Sequence, residues 1–443
     1  MPYSRFSNSR LAAFCLPAFA IHALVVLLTT FLPEFYANAL GYPVAAVGAT
    51  FMSIRILDMM LDPFLGGLMD RTRTRWGRFR PWLASSAPIL MVSMFMLSQA
   101  QPGTSLLYLW VWLSVAFVGF SIIVLSHLAW TATLSSVPAE RTRIFAWWQV
   151  LANLGQISIL LAPPVVAYLA PADNAISVRV TGWIIVILIP LAILISFASG
   201  TGEREAPGGS NKKFTLKEYT QLFTQPIVLR LLGADLFLAL GIGISGGVSL
   251  FFLMGQLGFA RSTASALILV TYAATLFGTP LFTKLALEIG RARALQIGAI
   301  CQAVLQLAVA LQPAHTLWLS IVLMAGLGLC LPIAWFLPRA LMADVADASL
   351  RIFGADRTGL LYATLNGTMK LALGLAIGAA FILLGAVGFQ AADASNPAFS
   401  TPLRILAGAV PALFSLAAAA CLRRYPEQAV RDTSARSSAS SAG

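Results

Sequence analysis

The stretch that decides the fold of this chain is Ile54-Arg55-Ile56-Leu57-Asp58-Met59-Met60-Leu61-Asp62-Pro63. Asp58 and Asp62 are four residues apart, so on a helix they lie one turn apart on the same face, with Arg55 about one turn before Asp58. The surrounding residues are apolar enough for a bilayer, where an ionised carboxylate is costly unless it meets water, an ion or a counter-charge. Two carboxylates on one face of a spanning helix therefore predict a cation site, with Arg55 as a charge partner.

The whole chain has the composition of a polytopic membrane protein. Its 443 residues are 58% hydrophobic and only 10% charged, and the mean hydropathy is +0.83. Apolar runs of about 20 residues, long enough to cross a bilayer, recur along the sequence with these approximate bounds: 11–36, 44–69, 82–98, 106–134, 144–169, 180–199, 228–257, 263–287, 294–311, 317–341, 360–389 and 403–422. The sequence therefore predicts an all-α membrane protein with twelve transmembrane helices.

The net charge of +12 follows the topology rather than a nucleic-acid surface. Arg and Lys are concentrated in alternate loops, for example in the five arginines from Arg71 to Arg80. The other set of loops receives only Arg179, Arg261 and Arg404. This asymmetry predicts that both termini are cytoplasmic. We expect a monomer in a bacterial-type inner membrane, surrounded by lipid, with no nucleic-acid partner.

A change of composition divides the chain into two halves. Between Gly200 and Pro226 the sequence becomes rich in Glu, Lys, Gly, Ser and Asn. We predict an N-terminal six-helix bundle at 1–200, a cytoplasmic linker at 201–226, a C-terminal six-helix bundle at 227–422 and a disordered cytoplasmic tail at 423–443. Two six-helix halves with a site at the midplane between them are typical of secondary transporters.

The basic run after the second span carries a family resemblance. It reads Asp70-Arg71-Thr72-Arg73-Thr74-Arg75-Trp76-Gly77-Arg78. Together with Gly66 it resembles the helix 2–3 pattern of the major facilitator superfamily. The longer string, Arg-x-x-Asp-x-x-x-Asp-Pro and then Asp-x-Thr-x-x-Arg-Trp-Gly-Arg-x-Arg-Pro-Trp, is similar to the glycoside-pentoside-hexuronide:cation symporters, the melibiose permease family. The resemblance implies a major facilitator fold, alternating access, and a cation site formed by Asp58 and Asp62.

A second stretch resembles the same family. Asp344 and Asp347 match its Ala-Asp-x-x-Asp segment after the tenth span, and Lys370 matches its helix-11 lysine. Lys370 is the only lysine in the middle of any expected span, so we expect it to face the central cavity and to pair with the acids of the second span. The residues expected to lock the cytoplasmic side are Asp70, Arg71, Arg75, Arg78, Arg141, Asp344, Asp347 and Arg357.

The expected substrate residues depart from the melibiose permease pattern. Trp130 stands where that permease has a sugar-stacking tryptophan, but Ser126 stands where it has an acid and Trp148 where it has an arginine. Ala18 or His22 replaces its helix-1 acid, so galactoside specificity does not carry over. The residues expected to bind substrate are Trp130, His22, Ser126, His127, Trp148 and Gln149.

These residues predict symport of a sugar, glycoside or related carbohydrate derivative, with H⁺ or Na⁺ as the coupling ion and no other cofactor. The missing helix-4 acid, together with His22 and His127, favours protons. A lysolipid symporter of the same superfamily and a non-transporting receptor or scaffold remain alternatives. The sequence lacks His-Glu-x-x-His and Gly-x-x-x-x-Gly-Lys, and its Gly-x-Ser-x-Gly match at 243–247 lies inside the seventh apolar span and not at a strand-to-helix turn, so we do not expect an enzyme. Asp235, inside the seventh span, is either a structural salt-bridge partner or a gate residue.

Overall fold

The structure is a computed structural model in which residues 6–36, 40–42, 44–135, 137–169, 174–203, 224–353, 357–386, 400–423 and 425 are described. Its chain forms two compact units. The first comprises Met1–Gly209 with Asp356–Thr364, and the second comprises Ser210–Ala355 with Leu365–Gly443. Most of the expected linker, 204–223, and of the expected tail, 424 and 426–443, lies outside the described residues.

The first unit contains long helices joined by short turns. They are α1 Asn8–Val26, α2 Val44–Arg71, α3 Arg80–Ser98, α4 Leu106–Thr133, α5 Pro138–Leu169 and α6 Asn174–Ala198. After α1 the chain continues helically through a π-helical turn, Leu27–Phe31, to Glu34. Ser7 and Ser105 cap α1 and α4, because their hydroxyl oxygens accept hydrogen bonds from the backbone N–H groups of Arg10 and Tyr108.

The second unit is built in the same way. Its helices are α7 Pro226–Phe251, α8 Arg261–Ile289, α9 Arg291–Leu311, α10 Leu317–Cys330, α11 Ile333–Phe353, α12 Thr358–Ala386 and α13 Val410–Cys421. A π-helical turn, Phe252–Gln256, extends α7, and the segments Ser400–Arg404 and Ile405–Ala409 lead into α13. The residues of α12 up to Thr364 cluster with the first unit.

The described helices match the expected membrane spans. Nine of them are long and apolar enough to cross a membrane. Three more long helices, α2, α5 and α12, coincide with the second, fifth and eleventh expected spans. The prediction of an all-α membrane fold with twelve spans is confirmed, because each expected span falls on one helix or on consecutive helical segments.

The tenth span differs from the expected one. The helix breaks at Leu331 and Pro332 and resumes as α11, since proline has no N–H to donate. It then continues to Phe353, twelve residues beyond the expected end at Leu341. Asp344 and Asp347, which we expected after the span, therefore lie on a helix. Their neighbours Ala343, Ala346 and Ala348 are strong helix formers, which explains the extension.

Arginine side chains bind backbone carbonyl groups at one end of the first unit. After α6 ends at Ala198, Gly200 takes the left-handed conformation with φ of 66°. Arg10 donates to the Ser199 carbonyl at 2.7 Å and to the Gly200 carbonyl at 2.6 Å. A guanidinium at this position satisfies carbonyl groups that the helix leaves open and complements the negative end of its dipole.

Candidate cation and substrate sites

The acids of α2 lie on its buried face. Ile54, Asp58, Asp62, Leu65 and Met69 follow a helical spacing, and each is less than 9% exposed. The opposite face is apolar and exposed, with this set of side chains: Met52, Ile56, Leu57, Met60, Leu61, Phe64 and Leu68. Because the polar stripe points into the protein and the apolar stripe points outward, α2 is oriented as a membrane helix that keeps its charges away from lipid.

Ser121 and Arg55 of the first unit lie close to the Asp58 carboxylate. The Ser121 hydroxyl of α4 donates a hydrogen bond of 2.5 Å to its Oδ1 atom. Nη1 of Arg55 lies 3.8 Å from its Oδ2 atom, and the Arg55 guanidinium lies 5.2 Å from the Phe117 ring centroid. Asp58 is 2% exposed and Asp62 is 0% exposed. Two buried carboxylates and a hydroxyl give hard oxygen atoms of the kind that bind small cations, and carboxylates also bind protons.

Lys370 is buried on α12, in the part of this helix that belongs to the second unit. An ammonium group buried in this way needs a partner, and Lys370 takes part in polar interactions. Its assignment as the counter-charge of Asp58 and Asp62 stays a prediction.

His127 is fully committed to hydrogen bonds within the first unit. Its Nδ1 atom accepts from the Trp148 indole N–H at 3.1 Å, and its Nε2 atom lies 3.1 Å from the Phe14 carbonyl oxygen. Since a carbonyl can only accept, the proton of the ring must be on Nε2. His127 is therefore a neutral imidazole that joins α1, α4 and α5.

Trp130 and Ser126 are also enclosed in this conformation. The Trp130 ring is 0% exposed, makes an edge contact with Phe14 at 4.9 Å between centroids, and lies 5.0 Å from the Arg80 guanidinium. The Ser126 hydroxyl donates to the Ile122 carbonyl of its own helix at 2.6 Å. The roles of Trp130, Ser126 and His127 in substrate binding stay predictions, because a substrate would need these side chains to become accessible.

His22 and the polar residues of α5 complete this region. The His22 ring meets the Trp148 ring edge-on at 5.2 Å, and its Nδ1 atom lies 3.1 Å from the Ala18 carbonyl. On α5 the Gln149 amide N–H donates to Oδ1 of Asn153, which lies one turn further along the helix, at 2.8 Å. Within the described residues, Gln149 Oε1 and Asn153 Nδ2 are buried without hydrogen-bond partners. One hydrogen-bond acceptor, on Gln149, and one donor, on Asn153, are thus available to a ligand on neighbouring side chains.

Asp70 is the centre of a charge cluster in the first unit. The Arg78 guanidinium forms an ion pair with its carboxylate. The backbone N–H groups of Gly359 and Leu360, in the first turn of α12, donate to the same carboxylate, each at 2.8 Å. The carboxylate therefore meets both an arginine and the positive end of a helix dipole.

Among the other expected lock residues, Arg71 and Arg75 are exposed, and the Arg75 guanidinium lies 5.9 Å from the Trp76 ring. Arg141 is buried, whereas Asp347 and Arg357 are half-buried. In the second unit Asp344 forms an ion pair with Arg291 at the start of α9. Arg291 was not among the expected residues.

Comparison with known proteins places the chain in a family. Residues 13–428 match the family model described as MFS/sugar transport protein. The chain belongs to this family. The inner membrane symporter YicJ of Escherichia coli is 27% identical over 88% of this chain and 85% of its own length. The glucuronide carrier protein homolog of the same organism is 25% identical over 92% of this chain and 89% of its own length. The putative glycoside/cation symporter YagG of Escherichia coli is 25% identical over 86% of this chain and 83% of its own length.

Solved structures agree on the fold. The Escherichia coli fucose:proton symporter FucP (N162A) superposes with a TM-score of 0.69, at 13% identity, over 94% of this chain and 97% of its own. A bacterial homologue of the iron transporter ferroportin gives the same TM-score and identity, over 94% of this chain and 99% of its own. The prediction that this chain belongs to the glycoside/cation symporters of the major facilitator superfamily is confirmed. The chain is an integral inner-membrane protein.

Three site residues of this MFS/sugar transport protein were not predicted: Ser121, Asn153 and Glu203. Glu203 accepts hydrogen bonds from the backbone N–H groups of Arg78, Phe79 and Arg80, the last two at 2.9 and 2.8 Å. Asn153 had a sequence signal, since it lies four residues after Gln149 on a mainly apolar helix. Ser121 and Glu203 had none, because each acts on a residue 63 to 125 positions away.

Proposed function

We propose that the protein is a cation-coupled secondary symporter of a sugar, glycoside or related carbohydrate derivative, working by alternating access. The observation that carries this proposal is the buried pair Asp58 and Asp62 on a helix whose other face is apolar and exposed. The family supports transport, and two of the relatives are named as a glycoside/cation symporter and a glucuronide carrier homolog. The substrate is a small molecule, and the working unit is a monomer.

The proposed mechanism rests on the repulsion between two carboxylates one turn apart. When the site is empty, Arg55 and Lys370 offset part of this negative charge. A cation that binds to Asp58 and Asp62 removes the repulsion and frees these counter-charges to change partners. If the empty site disfavours the substrate-bound closed state, cation and substrate each raise the affinity for the other, as linkage requires.

The coupling ion in this proposal is H⁺ or Na⁺. The expectation of protons rested partly on His127, but a ring with both nitrogens bonded can take up a proton only by giving up its bond from Trp148. The choice therefore depends on Asp58, Asp62, Ser121 and His22. Uptake measured at fixed pH with and without sodium, and at fixed sodium with and without a proton gradient, separates the two ions.

The test uses proteoliposomes that contain purified Asp58→Asn or Asp62→Asn protein. We expect both variants to lose substrate accumulation driven by the cation gradient, because the neutral amide no longer needs a cation, while exchange of labelled for unlabelled substrate continues. Glu288→Gln is the matched control, since it removes an exposed carboxylate of α8. Unchanged accumulation in both aspartate variants would overturn the mechanism.

A lysolipid or other amphiphile is the second candidate substrate. It is favoured by the aromatic character of the region around Trp130, Trp148 and Phe14, and by the Ser126 hydroxyl, which is bonded to its own helix. Thermal-shift screening against glycosides, uronates and lysolipids distinguishes the two classes, because a ligand that binds the native state raises its unfolding temperature.

A further inference from the structure

A buried acid in the second unit has no part in the site on α2. Asp235 is the tenth residue of α7, about 13 Å from the start of that helix. It is 2% exposed. Within the described residues its Oδ2 atom accepts no hydrogen bond, and its carboxyl group forms no ion pair within 4.0 Å. A buried carboxylate without these partners is unfavourable, so its protonation or its partner must change at some step.

The carboxyl group borders a small cavity of about 10 Å³, which has room for about one water molecule. Ala239 and Ile242 of α7 line it, together with the following residues of α11 and α12: Ala334, Trp335, Met369 and Leu373. Apart from the Trp335 indole, the side chains that line this cavity beside Asp235 are apolar. They offer no second carboxylate, hydroxyl or amide, whereas a metal cation needs several oxygen ligands. The chemistry of this cavity therefore fits a proton and not sodium.

Arg339 contacts two of the residues that line the cavity, and two further charged residues are close to the lining residues in the sequence. On α11 the Arg339 guanidinium donates to the Trp335 carbonyl and to the Met369 sulfur, the latter at 3.4 Å, and lies 5.8 Å from the Trp335 ring. It attracts the Asp235 carboxyl electrostatically. Lys370 follows Met369 on α12, and Arg230 lies five residues before Asp235 on α7. An ionised carboxylate binds a guanidinium more strongly than a carbonyl oxygen or a thioether sulfur does, so an ionised Asp235 would compete for the Arg339 guanidinium.

We propose that Asp235 is a second proton-binding site, separate from the acids of α2. The carboxyl group is protonated while Arg339 remains on Trp335 and Met369. It releases its proton to water in the cavity when the guanidinium moves onto the carboxylate, so the carboxyl group is neutral in one state and ion-paired in the other. Proton binding at Asp235 does not depend on the identity of the substrate, but its role in coupling rests on the proposed symport.

Difference infrared spectroscopy tests the proposal directly, because a neutral carboxylic acid has a C=O stretch that a carboxylate lacks. In a titration from about pH 5 to pH 9, we expect wild type to lose a C=O band component that Asp235→Asn lacks. Asp235→Glu is expected to restore a band. Asp344→Asn is the control, since it removes an ion-paired carboxylate of the same unit and should leave the band unchanged.

Arg339→Gln provides a second variant that keeps the acid. Without the guanidinium the carboxyl group loses its ionised partner, so we expect its band to persist to higher pH. In proteoliposomes we expect Asp235→Asn to move one proton fewer per substrate than wild type. An infrared band unaffected by Asp235→Asn overturns the proposal, even if Asp58→Asn and Asp62→Asn still uncouple transport. If wild type shows no gradient-driven uptake, the proposed function fails while the infrared test remains valid.

Discussion

The Ser121 hydroxyl of α4 donates a hydrogen bond of 2.5 Å to Oδ1 of Asp58 on α2. Both side chains are buried, with Ser121 at 0% and Asp58 at 2% exposure. The bond therefore fixes one carboxylate of the candidate cation site against a neighbouring helix. It also adds a third oxygen-bearing side chain to a site that the sequence describes only as two acids on one helix.

Replacing Ser121 with alanine should change the cation dependence of uptake. Its hydroxyl donates to the ionised carboxylate of the empty site, and a hydrogen bond to a charged group contributes about 1.5–3 kcal/mol. Because the loss of this bond destabilises the empty site, we expect, with protons as the coupling ion, roughly a tenfold or greater decrease in the proton concentration needed for half-maximal uptake. Ser114→Ala is the control on the same helix, because the Ser114 hydroxyl bonds only to the Trp110 carbonyl among the described residues. Equal cation dependence in the two variants would show that Ser121 does not belong to the site.

Two adjacent glycines of α2 should respond differently to alanine. A Cβ atom on Gly66 would lie 2.6 Å from the Gly359 carbonyl oxygen and 2.6 Å from Ala363 Cβ, whereas a Cβ atom on Gly67 meets nothing within 4 Å. Overpacking of this kind costs about 1–3 kcal/mol. We expect Gly66→Ala to lower the unfolding temperature and the uptake rate, while Gly67→Ala stays near wild type or is slightly more stable. Thermal unfolding and initial uptake rates measure both, and the opposite ranking would contradict the observed packing.

His127 should not carry the coupling proton. Its Nδ1 atom is bonded to the Trp148 indole N–H, so protonation there would break the bond. We expect His127→Gln, whose amide N–H can reach the Phe14 carbonyl, and His127→Asn, whose oxygen can accept from Trp148, to keep the pH profile of uptake. Both should unfold at lower temperature, because each loses one of two buried bonds. A shift of the pH optimum in both variants would assign the titration to His127.

Glu203 should stabilise the turn before α3. Its carboxylate accepts from three successive backbone N–H groups, those of Arg78, Phe79 and Arg80. Loss of a capping acceptor costs about 1 kcal/mol, and the negative charge at a helix N-terminus adds to this. We therefore expect Glu203→Gln to unfold at lower temperature than Glu288→Gln, which removes an exposed carboxylate from α8. Equal unfolding temperatures would mean that the cap contributes nothing measurable.

Gln149 and Asn153 should bind a hydroxyl group of the substrate. The open Gln149 acceptor and the open Asn153 donor lie next to each other, and a sugar hydroxyl both donates and accepts. We expect Gln149→Leu and Asn153→Leu to weaken substrate binding by about tenfold in a displacement assay. The unfolding temperature should fall modestly, because each variant removes the bond between Gln149 and Asn153 and leaves the remaining amide buried without it. Unchanged affinity with either variant would remove the pair from the binding site.

The sequence by itself determined the helices, the membrane fold and the pairing of Asp58 with Asp62 on one face. The length of an apolar run, the cost of charge in a bilayer and the spacing of residues along one helix are local properties, and the chain carries them without reference to its partners. The break at Leu331 and Pro332 and the continuation of α11 to Phe353 were not predicted, although proline and the alanines of α11 are local features of the sequence.

Only the tertiary structure decided what each of these side chains meets. The bond from Ser121 to Asp58, the capping by Glu203, the contact of Gly66 with Gly359 and the full commitment of His127 join residues that are 63 to 293 positions apart or that lie on different helices. The relative register of packed helices sets such contacts, and register depends on how all their surfaces fit together. For this reason the acids could be identified from the chain, while their chemical surroundings could be found only in the folded protein.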